Sequence, residues 1–212
     1  MSEVSVEKLL AHAKQGDGQD LGDLLQIYRN YLTVLATTQV NGRLRRRVSP
    51  SDVVQETMLA AHRDIGKFNG SSEPEFLAWL RQVLLNTIHH AVEKHLKAQR
   101  RDVRREISFD QLRTDFDKSA NAFAALLPDR GPSPSEPARR RELAVQIADQ
   151  LAKLRPDYRD VIVLRNLQSL PFEEVAERMD RTTGAVRMLW LRAMDKLKTI
   201  YVDDEVAEAV DG

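Results

Sequence analysis

Apolar residues recur at steps of three and four along most of the chain, which is the spacing that gives an α-helix one buried face. The clearest stripe in the N-terminal third contains Leu21, Leu24, Leu25, Tyr28, Leu32 and Leu35. The pattern predicts helices over Val6–Lys14, Leu21–Thr38, Val53–Ile65, Pro74–Arg105, Leu143–Leu154 and Pro156–Asn166. The predicted fold class is therefore all-α.

Two of the predicted helices begin with capping signals. In the segment Ser49–Asp52 a serine precedes a proline, and an acidic residue follows at the third position, which is the spacing of a capping box. The segment Ser72–Glu75 repeats this arrangement, and the pair Asn69-Gly70 in front of it predicts a turn. The first half of the chain should therefore contain a short loop that ends at a capped helix.

The last third of the chain, from Pro171 to Ala193, has the spacing of a helix-turn-helix. Asp180 stands where the chain must turn in a left-handed conformation, which Asp tolerates better than most residues. Thr182 or Thr183 can then cap the second helix. The positions predicted to be buried are Val175, Ala176, Val186, Leu189 and Ala193. The alternative for this segment taken alone is an ordinary αα-hairpin.

A change in composition separates two predicted helical domains. Residues 129–137 contain three prolines and a glycine and cannot form a helix, so they indicate a linker. The predicted organisation is an N-terminal helical domain over residues 1–106, a flexible linker over 107–137, a C-terminal helical domain ending in the helix-turn-helix over 138–202, and an acidic tail over 203–212.

Charge is balanced overall but clustered locally. Lys and Arg together number 32, as do Asp and Glu, which argues against a protein that coats DNA non-specifically. Basic residues concentrate in Arg43–Arg47 and in Lys94–Arg105. Aromatic residues make up only 6% of the chain, which favours helices over a β-sandwich.

Several classes of function lack their sequence signals. The chain has no Cys, which excludes disulfides and thiolate chemistry. No apolar run approaches the roughly 18 residues of a membrane span, and the N-terminus has no signal-peptide pattern, so a cytoplasmic protein without membrane insertion is predicted. Phosphate-binding loops, nucleophile elbows and paired-carboxylate sites are also missing. We therefore expect no enzyme activity, no catalytic residue, no cofactor and no metal.

An ordered set of motifs in the first half points to a family. The helix segment Asp52–Glu56 comes first, the loop Phe68–Ser72 second, and Trp79-Leu80 and Asn86 follow before a basic helix end. In this order and spacing the motifs resemble bacterial sigma factors of the extracytoplasmic-function (ECF) type, in the sigma-70 superfamily. The resemblance implies a protein that binds core RNA polymerase, directs it to promoters by binding −35 and −10 elements, and helps strand opening.

The resemblance covers about Leu21–Arg105 and Pro137–Tyr201 and implies three sets of site residues. Those expected to bind core polymerase are Asp52, Val53, Gln55, Glu56 and Leu59. Those expected at the −10 DNA are Asn69, Gly70, Ser71, Ser72, Trp79, Arg81, Asn86, His90 and Lys94. Those expected at the −35 DNA are Arg181, Thr182, Thr183, Ala185, Arg187, Met188 and Arg192. The implied partners are the polymerase, through its largest-subunit coiled coil and its flap, promoter DNA, and an anti-sigma factor.

The chemistry of the residues sharpens some of these roles. Asn69 to Ser72 can form a small polar pocket for one unpaired base, and a basic helix face can follow the phosphates. Phe68, Phe76 and Trp79 are the local aromatic residues, and at least two of them should belong to the core. Arg187 is the candidate for a two-pronged contact with guanine.

Two other functions stay open. A helix-turn-helix regulator that acts without joining the polymerase would use the same C-terminal segment. Such a regulator would have no use for the acidic, amide-bearing edge of the helix that contains Asp52, Gln55 and Glu56. A metal-dependent hydrolase would use His89, His90 and Glu93. His89 and Glu93 are four residues apart and could bind one ion. Against this second alternative, the adjacent histidines should point to different faces of a helix, so no third ligand is evident at helical spacing.

Overall fold

The structure, a computed structural model, describes residues 6–40, 48–97, 109–123, 126 and 137–211. Its α-helices are α1 (Val6–Lys14), α2 (Gly18–Ile27), α3 (Arg29–Gln39), α4 (Pro50–Asp64), α5 (Glu73–Lys97), α6 (Phe109–Ala122), α7 (Pro137–Lys153), α8 (Pro156–Ile162), α9 (Phe172–Met179) and α10 (Thr183–Asp211). No strand occurs in these ranges, and the prediction of an all-α fold is confirmed. The chain divides into two compact units, Met1–Asp117 and Lys118–Gly212.

The core of the first unit is built from the stripes that predict its helices. Helices α4 and α5 pack on each other, α3 packs on both, and α1 packs on α2. The fully buried side chains include Tyr28, Leu32, Leu35, Phe76, Leu80 and Leu84. Each apolar side chain of this size contributes about 1.5–3 kcal/mol when it is removed from water. This burial holds α4 and α5 in fixed rotations about their axes, and it therefore decides which residues of each helix face outward.

The predicted helix Leu21–Thr38 is two helices in the structure. Asp17 caps the first of them, because its carboxylate accepts hydrogen bonds from the backbone N–H groups of Gln19 and Asp20 at 2.9 and 3.1 Å. That helix ends at Ile27, and Tyr28 follows with φ −94° and ψ 0°. The apolar stripe does not reveal the break, because the buried positions continue at helical spacing on both sides of Tyr28.

The predicted capping box at Ser49 does not form. The Ser49 hydroxyl lies 2.6 Å from the Ser51 hydroxyl and makes no capping bond, and the start of α4 depends instead on Pro50 in its first turn. Pro50 also explains why the helix begins there and not at Val53. Helix α5 is described as far as Lys97, and the remainder of the predicted helix, residues 98–105, lies outside the described residues.

The segment predicted as a linker contains helix α6. Leu112, Phe116 and Ala120 of this helix are buried, and they recur at steps of four. That spacing indicates a helix in the sequence itself, and the prolines that follow in residues 128–137 obscure it. The proline-rich residues 129–136 lie outside the described residues, and the predicted boundaries at 106 and 137 stay predictions.

The second unit packs α10 against α7, α8 and α9. Its core includes Ile147, Val161, Ile162, Val175, Val186, Ala193 and Leu197. A π-helical turn over Val163–Leu167 follows α8. The segment predicted as an acidic tail is helical through Asp211, because α10 continues past the buried Tyr201. Within the described ranges, no helix combines the length and apolar character that crossing a membrane requires.

The turn between α9 and α10 has the predicted left-handed residue. Asp180 has φ 52° and ψ 50°, its N–H approaches the Glu177 carbonyl at 3.4 Å, and the Arg181 N–H donates to the Ala176 carbonyl at 3.0 Å. These two bonds are the Schellman motif that ends many helices. Thr182 then precedes α10, and the Ala185 N–H donates to its side-chain oxygen at 3.3 Å, so Thr182 and not Thr183 is the cap.

This turn predicts an order of stability for two substitutions at one position. Asp180→Gly should unfold at higher urea concentration than Asp180→Ala, with a difference in unfolding free energy of about 1 kcal/mol, because a Cβ disfavours left-handed backbone. Urea titration followed by circular dichroism measures both. Glu177→Gly and Glu177→Ala, at an exposed position inside α9, form the control pair and should show the opposite order. Equal stability of the two Asp180 variants would contradict this account.

Candidate nucleic-acid interface

One exposed stripe runs along α4. Asp52, Gln55, Glu56 and Leu59 are exposed, and they follow one another at steps of three, one and three, which places them on one side of the helix. The Leu59 side chain is 72% exposed, an unusual state for a leucine on a packed helix. Val53, which was predicted to bind polymerase with these residues, is instead in the core at 2% exposure, because it belongs to the opposite stripe of α4.

The loop between α4 and α5 is anchored by an aromatic cluster. Phe68 is buried, and its ring centroid lies 5.7 Å from that of Phe76 and 5.4 Å from that of Trp79. Phe76 is fully buried, which confirms that at least two of the three aromatic residues belong to the core. Trp79 is half-buried and packs in the same cluster, and its place among the −10 residues stays a prediction.

Glu75 fixes the conformation of this loop from the helix side. Its Oε2 accepts hydrogen bonds from the N–H groups of Ser71 and Ser72 at 2.9 and 3.1 Å and from the Ser72 hydroxyl at 2.8 Å. The predicted capping box at Ser72 therefore forms on its acidic side, and these bonds lower the pKa of Glu75. Two N–H groups of the loop are therefore used in hydrogen bonds that fix its conformation. The exposed side chains of Asn69 and Ser71 are the groups that the loop presents outward.

Gly70 occupies a position where no side chain fits. A Cβ at this residue would lie 2.4 Å from the Cζ atom of Phe68 and 2.9 Å from the Cβ atom of Glu75. The φ angle of Gly70 is not in the left-handed region, so backbone conformation does not require a glycine here. The close approach of the Phe68 ring and of Glu75 does. The same contact joins the polar tip of the loop to the aromatic cluster beneath it.

A polar stripe follows on α5. Asn86, His90 and Lys94 are exposed and recur at steps of four, so three of the predicted −10 residues share one face of the helix. Gln82, one turn before them, donates to the Asn86 side-chain oxygen at 2.9 Å. This bond leaves the Asn86 amide nitrogen available as a donor toward a base or a phosphate.

Arg81 does not lie on this open stripe. Its side chain is 18% exposed and forms an ion pair with Asp117 of α6 at 3.1 Å, and its guanidinium lies 5.5 Å from the centre of the Phe116 ring. The sequence missed this environment, because α6 falls in the segment predicted as a linker. The Arg81 side chain therefore binds other residues of the protein, whereas the prediction placed it at the −10 DNA.

The histidine pair on α5 is closer than the sequence predicts. Ligand atoms of His89, His90 and Glu93 all lie within 4.8 Å of one another, so Glu93 completes a set of three. The expectation that the adjacent histidines point to different faces is wrong, because their ligand atoms approach each other, and Glu93 lies between the two in helical angle. The set has the donor types that zinc accepts, but His90 also belongs to the polar stripe with Asn86 and Lys94.

The second unit presents one face of α10. The exposed residues near its N-terminus are Arg181, Thr182, Ala185, Arg187, Met188 and Arg192, and Thr183 is half-buried. Leu191 lies on the same face and is 52% exposed, close to the 51% of Met188. Leu191 is not among the residues predicted for the −35 DNA. Its position, three residues after Met188 and four after Arg187, indicates that it lies on the same face of the helix.

Arg187 is held by residues at the start of α9. Its guanidinium lies 5.5 Å from the centre of the Phe172 ring, and one of its nitrogens is 3.5 Å from Glu173 Oε1. Trp190 packs on the same ring at a centroid distance of 5.7 Å, and its N–H donates to the Asn166 side chain at 2.9 Å. Trp190 therefore connects α10 to the rest of the unit.

Arg181 stands at the other end of this face, beside the turn. One of its nitrogens is 3.8 Å from Asp157 Oδ2, which also accepts from Arg155 at 2.8 Å. The hydrogen bond from Arg155 lowers the pKa of Asp157, so the carboxylate stays charged. The long distance leaves Arg181 weakly held and able to reach a phosphate next to the N-terminus of α10.

Comparison with known families identifies two matched regions. Residues 27–101 match the family model described as Sigma-70 region 2, and residues 144–197 match that described as Sigma-70, region 4. The first range contains the stripes of α4 and α5 and the loop between them, and the second contains the helix-turn-helix.

Several curated proteins are similar along nearly the whole chain. An ECF RNA polymerase sigma-E factor of Haemophilus influenzae is 29% identical over 91% of this chain and 93% of its own length. The ECF RNA polymerase sigma-E factor of Escherichia coli K12 is 28% identical over 93% and 95%, and the RNA polymerase sigma factor CarQ of Myxococcus xanthus is 27% identical over 81% and 87%. With both regions in order and this coverage, the chain belongs to the sigma-70 family as a sigma factor of the ECF type.

Proposed function

We propose that this sigma factor binds core RNA polymerase and contacts the −10 DNA through its first unit, and that its second unit contacts the −35 DNA. The observation that supports this division is the placement of exposed residues. On each of α4, α5 and α10 the exposed predicted contact residues lie on one side of the helix, while the other side is buried. The nucleotidyl transfer itself belongs to the polymerase, and we place the protein in the cytoplasm with its template.

The α4 stripe is the proposed polymerase contact. Asp52 and Glu56 give it negative charge, Gln55 adds donors and an acceptor, and Leu59 offers an apolar anchor that is 72% exposed. Interfaces of this kind combine a central apolar residue with polar groups that set orientation and partner choice. A basic, partly apolar helix surface on the polymerase would complement it. Val53 supports the stripe from behind and is left out of the contact.

The loop tip and the α5 stripe are the proposed −10 contact. Asn69 and Ser71 would form hydrogen bonds with one unpaired base. The α5 residues Asn86, His90 and Lys94 would contact the adjacent sugar-phosphate backbone of the DNA. Because Glu75 and Gly70 already hold the loop, little ordering is needed when a base enters, and binding loses less entropy. Capturing an unpaired base would shift the duplex toward the open state, which is how a protein without catalytic groups can help strand opening.

The exposed face of α10 is the proposed −35 contact. Arg187 would donate to a guanine edge in the major groove, and the exposed Met188 and Leu191 would pack on thymine methyl groups. Arg181 and the capped N-terminus of α10 would contact phosphate. An anti-sigma inhibitor stays an expectation of the family, and we assign no residue to it.

The acidic edge of α4 distinguishes a sigma factor from a regulator that acts without polymerase. Purified chain should retain core RNA polymerase in a pull-down and give discrete start sites in run-off transcription from a genomic fragment library. The double variant Gln55→Ala, Glu56→Ala should lose both, because the contact loses one of its two carboxylates and its amide.

A matched control uses the same chemistry at another exposed site. The double variant Asp23→Ala, Gln26→Ala removes an acid and an amide from α2 and should behave as the wild type. Retention of polymerase by the α4 variant would overturn the assignment of this stripe. A folded wild-type chain that binds specific DNA but not polymerase would favour the stand-alone regulator.

The −35 assignment predicts two different losses. Arg187→Ala should weaken holoenzyme binding by about 1–3 kcal/mol on the preferred −35 sequence and relax the preference at one base pair. Arg181→Ala should weaken binding by a similar factor on all −35 sequences and reduce its salt dependence by about one charge. Competition binding on a set of single-base variants measures both, and Arg159→Ala, a half-buried arginine on α8, is the control. Identical specificity profiles for Arg187→Ala and the wild type would contradict the base contact.

The overall charge predicts weak binding by the chain alone. With 32 basic and 32 acidic residues and two separate contact faces, the isolated protein should bind promoter duplex only weakly at physiological salt. Adding core polymerase should make the binding specific. A gel-shift titration with and without polymerase tests this expectation, and tight sequence-specific binding by the chain alone would refute it.

A further inference from the structure

Helix α1 reaches the −10 loop through one side chain. The Lys14 ammonium, in the last turn of α1, donates a hydrogen bond to the backbone carbonyl of Gly70 at 2.8 Å, across 56 residues of sequence. The same nitrogen lies 5.8 Å from the centre of the Phe68 ring, within the range of a cation–π contact. Lys14 is therefore attached both to the tip of the loop and to its aromatic anchor.

The bond from Lys14 complements those from Glu75. Glu75 holds the N–H groups of Ser71 and Ser72, whereas Lys14 holds the carbonyl of the residue before them. The charge of Lys14 also contributes to the lowered pKa of Glu75, so the two ionised groups support each other across the loop. With Phe68 packed below, the tip is restrained from three directions.

Helix α1 is in a position to transmit this restraint. Leu9, Leu10 and Ala13 are buried, and the helix packs on α2 and on α5. Lys14 thus extends from a packed helix to the loop, and the packing of α1 fixes the backbone from which its side chain extends. The matched region 2 begins at residue 27, so Lys14 lies outside the segment that defines the family match.

We propose that Lys14 is a positioning residue for −10 recognition: by holding the Gly70 carbonyl it keeps Asn69 and Ser71 in the geometry that accepts an unpaired base. This inference rests on the proposed −10 role of the loop. It gives α1 a function in promoter opening without contact between α1 and a base. A loop released from Lys14 would sample other conformations, and base capture would then require the loop to be ordered again.

The test compares full-length variants in complex with core polymerase. Lys14→Ala should reduce the amount of open complex, measured by permanganate reactivity of unpaired thymines, by about threefold to tenfold, the range of one hydrogen bond. The preference for the correct base at the captured −10 position should fall by a similar factor. Lys14→Arg should restore most of both, because a guanidinium can also donate to the carbonyl. Lys8→Ala, an exposed lysine on the same helix, should match the wild type.

Binding to core polymerase and to −35 DNA should be unchanged in all variants, and these measurements separate the inference from the function it rests on. If the wild type itself fails to bind polymerase or shows no −10 preference, the proposed function fails. If the wild type behaves as proposed and Lys14→Ala keeps its base preference and its open complex, the positioning role is overturned.

Two other outcomes would also overturn the positioning role. An equal loss on every −10 sequence, with a salt dependence reduced by about one charge, would make Lys14 a phosphate contact. A lowered melting temperature that accounts for the lost activity, without rescue by Lys14→Arg, would make it a structural brace of α1 only.

Discussion

The burial of Phe68 against Phe76 and Trp79 is the interaction on which the loop between α4 and α5, the proposed −10 contact, depends. This packing fixes the point where the loop leaves the core, and Gly70 then lies so close to the Phe68 ring that no side chain fits. The polar tip can be held in one conformation only because an apolar anchor lies directly beneath it. Stability and recognition are therefore joined at one residue, since loss of the Phe68 ring would release both the core and the loop.

The second unit also joins packing to its proposed DNA contact. Helix α10 is packed through Val186, Ala193 and the half-buried Trp190, which leaves its other face exposed for the proposed −35 contact. The Trp190 indole is too large for a close helix crossing, and it lies instead against Phe172 with its N–H bonded to Asn166. The Phe172 ring also contacts the guanidinium of Arg187, so the packing residue and the proposed base contact share one aromatic surface.

Ionic groups in this protein mostly orient other groups and add little stability of their own. The pairs of Arg187 with Glu173 and of Arg181 with Asp157 are exposed and long, and such pairs contribute about 0–1 kcal/mol. Their effect is to limit where each arginine can lie before DNA arrives. The Arg81–Asp117 pair is different, because Arg81 is only 18% exposed and its guanidinium lies over the Phe116 ring. The pair connects α5 to the N-terminal part of α6.

The sequence by itself determined the helical class, the helix-turn-helix with Asp180 in its turn, and the exposed stripes on α4 and α10. These follow from a period of 3.6 residues and from turn chemistry, which are local properties. Only the tertiary structure decided that Val53 is packed, that Arg81 is covered by α6, that the adjacent histidines approach each other, and that Lys14 bonds to Gly70. Each of these depends on side-chain direction or on contacts between residues far apart in sequence, and a periodic pattern carries no information about which distant residue completes a contact.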